Sequence, residues 1–193
     1  MTMPEYLEAT AFAVERLIEA VWYERDEFEK SRGFVRQEVD DSTWNAYLAA
    51  SMSGVEDQFW STYSGAGVSQ LSANNTFATL AVTHRLSAAA LASALLQIGK
   101  QGLSSVHGRS VSPIGRLIGT QNLSVVIWEA RNQAMHWETG EAYKPTEACF
   151  ETLARDVDPK FGEYRERSLA FDVVELLGWR TVDSFNADLV SLG

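Results

Sequence analysis

A chain of 193 residues and 21.4 kDa, 46% of it hydrophobic, is the size of one domain with a substantial core and excludes an intrinsically disordered polypeptide. Its formal net charge of -10 and pI near 4.8 exclude a broad basic face of the kind that coats nucleic acid, while leaving room for a local pocket that holds one or two phosphates. Only four of the sixteen basic residues are lysine, so positive charge comes mostly as planar arginine contacts.

The segment Met1–Thr2–Met3–Pro4–Glu5–Tyr6 is acidic and aromatic and does not read as a signal peptide. From Leu7 the apolar residues Leu7, Val14, Val21 and Phe28 recur every seven positions, with Leu17 and Ile18 between them. This predicts an amphipathic helix that stops near Ser31–Arg32–Gly33. Its acidic run, Glu24 to Glu29, is expected to form the wet side, with glutamates also able to pair with an arginine of a site. A second helix is expected after Asp41–Ser42, with Trp44, Leu48, Met52, Val55, Phe59 and Tyr63 on one stripe until Gly65–Ala66–Gly67.

A third helix starts near Asn74–Asn75, carries Phe77, Leu80, Ala81, His84, Ala88, Leu91, Leu95 and Ile98 on one face, and is expected to stop around Gly99 to Gly102. Its stretch Leu86 to Ile98 is the most apolar in the chain but shorter than the roughly 20 residues of a membrane span, so it reads as a core helix and no membrane association is expected. Ser112–Pro113 supplies a cap and a first-turn proline for a fourth helix. Its stripe is Ile114, Ile118, Gln121, Val125 and Trp128, and the same inward face is expected to continue to Asn132, Met135 and His136 before Gly140. A short helix is expected over 146–155, ended by Asp156–Val157–Asp158–Pro159. Two more follow, carrying Leu169, Val173, Leu176 and Leu177, then Phe185 and Leu189, separated by Gly178; a strand over 171–177 is the competing reading. The fold class is therefore all-α, a bundle of four main helices with a short C-terminal helical addition.

The chemistry-bearing run is Trp128–Glu129–Ala130–Arg131–Asn132–Gln133–Ala134–Met135–His136–Trp137. On an ideal helix residues five apart differ by about 140° and about 7.5 Å of rise, so Arg131 must reach across to His136, whereas Asn132 lies one turn behind it. Asparagine and histidine at the end of an inward stripe need polar partners or a pocket. Against this stands the plain reading, in which Asn132 and His136 bond helix ends or a neighbouring helix and Arg131 pairs with a glutamate. His84 reads as a satisfied core histidine. His107 to Arg109 and Arg116 read as solvated loop residues that can also touch phosphate, and Trp128 and Trp137 as packing residues that can also stack a base. Cys149, the only cysteine, excludes an intrachain disulfide, reads as a buried thiol, and fits a reducing cytoplasm. There is no Gly-x4-Gly-Lys-Ser/Thr, no His-Glu-x2-His and no paired Glu-x2-His, so neither a metal nor a cofactor is assigned.

The Arg131–Asn132-x3-His136 run at the end of a helix resembles the Arg-x4-6-His signature of the HEPN superfamily. That resemblance implies a helical domain over residues 1–155; residues 156–193, for which it does not account, are read as a helical extension packed on the same domain. It also implies a homodimer in which the fourth helices bring two Arg131/His136 pairs into one cleft. The implied activity is metal-independent cleavage of RNA to 2′,3′-cyclic phosphate and 5′-hydroxyl ends, with Arg131 and His136 catalytic, Asn132 orienting, and no cofactor. In the toxin and defence branches of the family it further implies an antitoxin or regulatory protein as partner. A toxin subgroup extends the signature to Arg-x4-His-x-Tyr; here that position is Glu138, which departs from tyrosine-directed neutralisation. The rival expectation is a non-catalytic nucleotide- or protein-binding module of the same fold.

Overall fold

The computed structural model describes residues 1–36, 39–52, 59, 75–108 and 114–193. Among these residues the chain forms α1 (Met3–Arg36), α2 (Asp41–Met52), α3 (Asn75–His107), β1 (Leu117–Ile118), β2 (Gln121–Asn122), α4 (Leu123–His136), α5 (Lys144–Asp156), α6 (Ala170–Leu177) and α7 (Val182–Val190). Short 3-10 turns follow α4 and α5 at Trp137–Thr139 and Pro159–Glu163. The architecture is mostly helical. Two compact units divide it, one made of 1–21 with 89–193 and the other of 22–88.

Within residues 22–88, Phe28, Val35, Val39, Trp44, Tyr47, Phe59, Ala78, Ala81 and Val82 form the buried core. The seven-residue spacing runs one step further than expected: Val35 is fully buried, so α1 passes through Gly33 to Arg36. A helical glycine costs about 1 kcal/mol, less than burying a valine returns. Asp40 caps α2, accepting from the Thr43 backbone N–H at 3.0 Å and from the Ser42 and Thr43 hydroxyls. These bonds, the Ser42 hydroxyl first, hold its carboxyl well below the usual range. The expected stripe positions Val55 and Tyr63 and the stop at Gly65–Gly67 lie outside the described residues.

In the other unit α3 runs straight through the glycines expected to end it. Gly99 and Gly102 are points of close approach. A Cβ on Gly99 would lie 3.3 Å from both Ile127 and Trp179, and one on Gly102 would lie 2.9 Å from the Tyr6 ring and 3.2 Å from Leu189. The Tyr6 hydroxyl donates to the Ile98 carbonyl at 2.8 Å, fixing the ring where Gly102 leaves room. Although alanine is the better helix former, Gly102→Ala is therefore expected to lower stability by about 1–3 kcal/mol in thermal or denaturant unfolding. A stabilised variant would refute the close-packing role. By length and composition α3 is also apolar enough to cross a membrane, a property that a buried helix shares.

The fourth helix departs most from expectation. Residues 117–122 are a two-residue hairpin, Ile118 pairing with Gln121 across Gly119–Thr120, and Gly119 has φ +59, the backbone such a turn demands. The helix begins only at Leu123, and Ser112–Pro113 lies outside the described residues. Its buried side is Leu123, Ser124, Val126, Ile127, Glu129, Ala130 and Gln133. The stripe drawn through Ile114 and Ile118 thus does not carry into the helix: Val125, Trp128 and Asn132 are half-buried, and Met135 and His136 are exposed.

The C-terminal segment completes this core. Leu169, Ala170, Val173, Trp179, Phe185 and Leu189 are fully buried. The segment 171–177 belongs to helix α6 rather than a strand, and it ends at Gly178 with φ +73. Arg116, expected as a solvated loop residue, is exposed and also makes two 2.8 Å bonds to Asp188 and one to the Leu177 carbonyl. Asp188 also accepts from the Trp179 indole N–H at 2.9 Å. The hairpin and the last two helices are tied by one carboxylate.

Candidate functional site

Helix α4 presents two polar sides with different roles. The inner one is Gln133, 3% exposed. Its amide nitrogen donates to the carbonyls of Tyr164 (2.8 Å) and Arg167 (2.7 Å), and its oxygen accepts from the Leu169 backbone N–H (2.9 Å). One side chain thereby satisfies three backbone groups of the turn between the second 3-10 segment and α6. The stripe spacing predicts Asn132 at the inward polar position; the residue that holds it is one further on.

The outer side carries Trp128, Arg131, Asn132, Met135 and His136, spaced at helical intervals of three and four. The Arg131 guanidinium donates through Nε to the Gln97 side chain on α3 at 2.5 Å and contacts Asn132 Oδ1 at 3.4 Å. Asn132 donates to Glu129 at 3.2 Å, and Glu129, 8% exposed, also accepts from the Thr146 hydroxyl at 2.6 Å. A continuous chain of hydrogen bonds therefore runs from α3 through Arg131, Asn132 and Glu129 to α5. Among the described residues Arg131 makes no ion pair with a glutamate, the pairing that the plain reading expects.

His136 closes α4. Its ring makes no hydrogen bond among the described residues and stands edge-on to Tyr143, with centroids 6.0 Å apart. Both face a small, solvent-open cleft also lined by Asn132, Glu141, Tyr164 and Arg165. Arg165 pairs with Glu147, and Arg131 does not line the cleft. The three signature residues thus stay together on one helix side, with Asn132 and His136 at the cleft and Arg131 beside it. Chemically, the cleft offers a solvent-accessible imidazole, an amide, a phenol and a guanidinium. Tyr143 and Arg165 were invisible in sequence: they arrive from a loop and a turn with no motif of their own.

The other candidates resolve individually. His84, in the unit 22–88, bonds Glu24 at 2.7 Å with both side chains about one-fifth exposed, the partnered state expected of it. His107 meets the Leu192 carbonyl at 2.5 Å, and Arg109 is outside the described residues. Glu138 is exposed. Among the described residues no group of three or more His, Cys, Asp or Glu side chains could hold a metal ion.

Cys149 is 1% exposed, and burial, then the nearby Glu129 carboxylate, push its thiol up to about 12. Almost no thiolate exists at neutral pH, and thiolate is the reactive form. Folded protein is therefore expected to resist iodoacetamide near pH 8 and to be alkylated once denatured, as read by intact mass. Rapid modification of the native chain would contradict the buried placement.

Comparison of the chain with protein-family models, with curated proteins and with solved structures finds no match in any of the three.

Proposed function

We propose that this protein is a cytoplasmic, metal-independent endoribonuclease of toxin or defence type, working as a homodimer around α4. The observation that carries the reading is His136: an exposed imidazole whose nitrogens are not committed to the described residues, opening on a cleft with Asn132, one turn behind it, and five residues along the helix from Arg131. Histidine is the side chain suited to proton transfer near neutral pH. RNA places a 2′-hydroxyl beside each phosphate. In the reaction the 2′-oxygen to phosphorus bond forms and the bond from phosphorus to the 5′-oxygen breaks. One His136 takes the 2′-proton, and the other His136 of the dimer returns a proton to the leaving 5′-oxygen. Arg131 stabilises the charge gathering on the phosphoryl oxygens, and Asn132 orients the imidazole or a phosphate oxygen. The products carry 2′,3′-cyclic phosphate and 5′-hydroxyl ends.

A regulatory protein or antitoxin fits such an activity as its partner. Glu138 in place of a modifiable tyrosine argues that inhibition would act by covering the site. One observation favours the second reading, a helical module that binds a nucleotide or protein without cleaving: Arg131 is held by Gln97 and lies outside the cleft. The two readings separate when purified protein is incubated with mixed RNA in EDTA beside His136→Ala and Arg131→Ala. Cleavage that survives EDTA and falls in both variants supports the nuclease; cleavage lost with EDTA, or persisting in both variants, sinks it.

A further inference from the structure

The cations of the unit that holds α4 are mostly matched to acids. Arg116 meets Asp188, Arg155 meets Asp156, Lys160 meets Asp172 and Glu175, Arg165 meets Glu147, and Arg167 meets Glu163 and Asp172. Of those with no acid partner among the described residues, two are neighbours. Among the described residues Arg131 bonds only the neutral Gln97 and Asn132, and the Lys100 ammonium rests 4.3 Å from the centre of the Trp128 ring. Gln97 and Lys100 are three apart on α3, as are Trp128 and Arg131 on α4. The contacts 97 to 131 and 100 to 128 therefore lie about one turn apart along an antiparallel seam. All four side chains are partly exposed. In a chain of net charge -10, two cations about one helical turn apart on this seam, both with neutral partners and one of them resting on an indole, form a place for an anion that carries an aromatic ring.

The seam is continuous with the cleft. Trp128, Arg131, Asn132 and His136 follow one side of α4, and from 128 to 136 the helix rises about 12 Å. We infer that Lys100 and Trp128 form the distal half of a track for single-stranded RNA. Lys100 and Arg131 hold successive phosphates, Trp128 stacks a base, and the strand continues along Asn132 to His136. Lysine's flexible stem lets its ammonium leave the indole for a phosphate, which uncovers the ring for stacking. Unpaired strands fit this arrangement because a duplex keeps its base faces stacked on one another. The inference takes its substrate class from the ribonuclease reading, but its test concerns binding and does not need cleavage.

The experiment measures fluorescence anisotropy of a labelled short single-stranded oligoribonucleotide in EDTA, using full-length His136→Ala protein as the parent so that the strand stays intact. Adding Lys100→Gln is expected to weaken binding roughly 3- to 10-fold and to reduce the slope of log affinity against log salt by about 0.7. Trp128→Leu is expected to weaken it roughly 10-fold, and Lys100→Arg to retain most of the affinity. Arg155→Gln, which removes the same charge from a distant exposed pair, should change affinity less than 2-fold. Circular dichroism confirms that each variant is folded. The track is refuted if Lys100→Gln binds like its parent or changes no more than Arg155→Gln. It is equally refuted if Lys100→Gln and Trp128→Leu alter self-association in sedimentation while leaving RNA affinity unchanged, since the seam would then be a protein contact. Lys100-dependent binding by a protein that never cleaves RNA would overturn the nuclease reading and keep the track; cleavage by a protein whose Lys100→Gln variant is unimpaired would do the reverse.

Discussion

Replacing His136 with alanine is expected to reduce RNA cleavage by about 10²- to 10⁴-fold, the range contributed by a positioned general acid or base, while leaving the fold untouched. The two halves of that expectation come from the same placement. His136 is exposed and closes α4, and among the described residues its ring makes no hydrogen bond and stands edge-on to Tyr143. Truncation there opens no core cavity and strands no buried polar group, so the change in stability should stay within about 0.5 kcal/mol. Arg131→Ala is expected to cost roughly 10²- to 10³-fold through lost charge stabilisation. Arg131→Lys should not recover it, because an ammonium cannot reproduce the planar fork. Rates under single-turnover conditions and melting curves of the same preparations check both halves. A His136→Ala protein that melts many degrees lower while cleaving normally would assign this histidine to structure.

The converse is expected three residues earlier. Gln133→Ala removes a side chain that satisfies the Tyr164 and Arg167 carbonyls and the Leu169 backbone N–H in a buried site. Each buried group left unpaired costs about 1–3 kcal/mol, and the lost side chain leaves a void in addition. A total near 3–5 kcal/mol is expected, with a fall in melting temperature on the order of 10 °C. Gln133→Glu should be nearly as damaging, since a carboxylate cannot donate to two carbonyls. By contrast Asn132→Ala, which loses a 3.2 Å bond to Glu129 and a long 3.4 Å bond from Arg131 in a half-buried position, should cost no more than about 1–2 kcal/mol. Thermal unfolding of the three variants side by side decides it. If Gln133→Ala melts within about 2 °C of the parent, Gln133 is not the inner clamp of this helix.

Adjacent residues with such different duties explain what the sequence made legible. The heptad Leu7, Val14, Val21, Phe28 announced α1 without error in phase, because every member is buried. The C-terminal pair of helices was equally readable, with Gly178 between them at a positive φ. What failed was the reading of glycine and of phase. Gly99 and Gly102 looked like stops, yet they admit Tyr6, Trp179 and Leu189, partners too distant in sequence to be seen from a local pattern.

The phase of α4 differs from the one predicted through Ile114 and Ile118 because the helix does not begin until Leu123. A separate period, Leu123, Val126, Ile127 and Ala130, sets the true buried side. The signal was present: Ile118–Gly119–Thr120–Gln121 is a glycine-first two-residue turn. Reading it would have moved Asn132 and His136 outward and put Gln133 inward. The correction suits the proposed chemistry, since an imidazole that must meet a strand of RNA has to be exposed. Gln97, Lys100, Tyr143 and Arg165 remained hidden because their roles depend on which helices and turns meet, not on local spacing.

The most direct test of this account is to determine the ends left on RNA cut in EDTA by the purified protein, alongside an otherwise identical strand bearing a 2′-deoxy sugar at the cleavage position. The proposed mechanism predicts 2′,3′-cyclic phosphate and 5′-hydroxyl termini, no cutting at the 2′-deoxy position, and loss of both products in His136→Ala. Products with 5′-phosphate ends, or equal cleavage at the deoxy position, would contradict it.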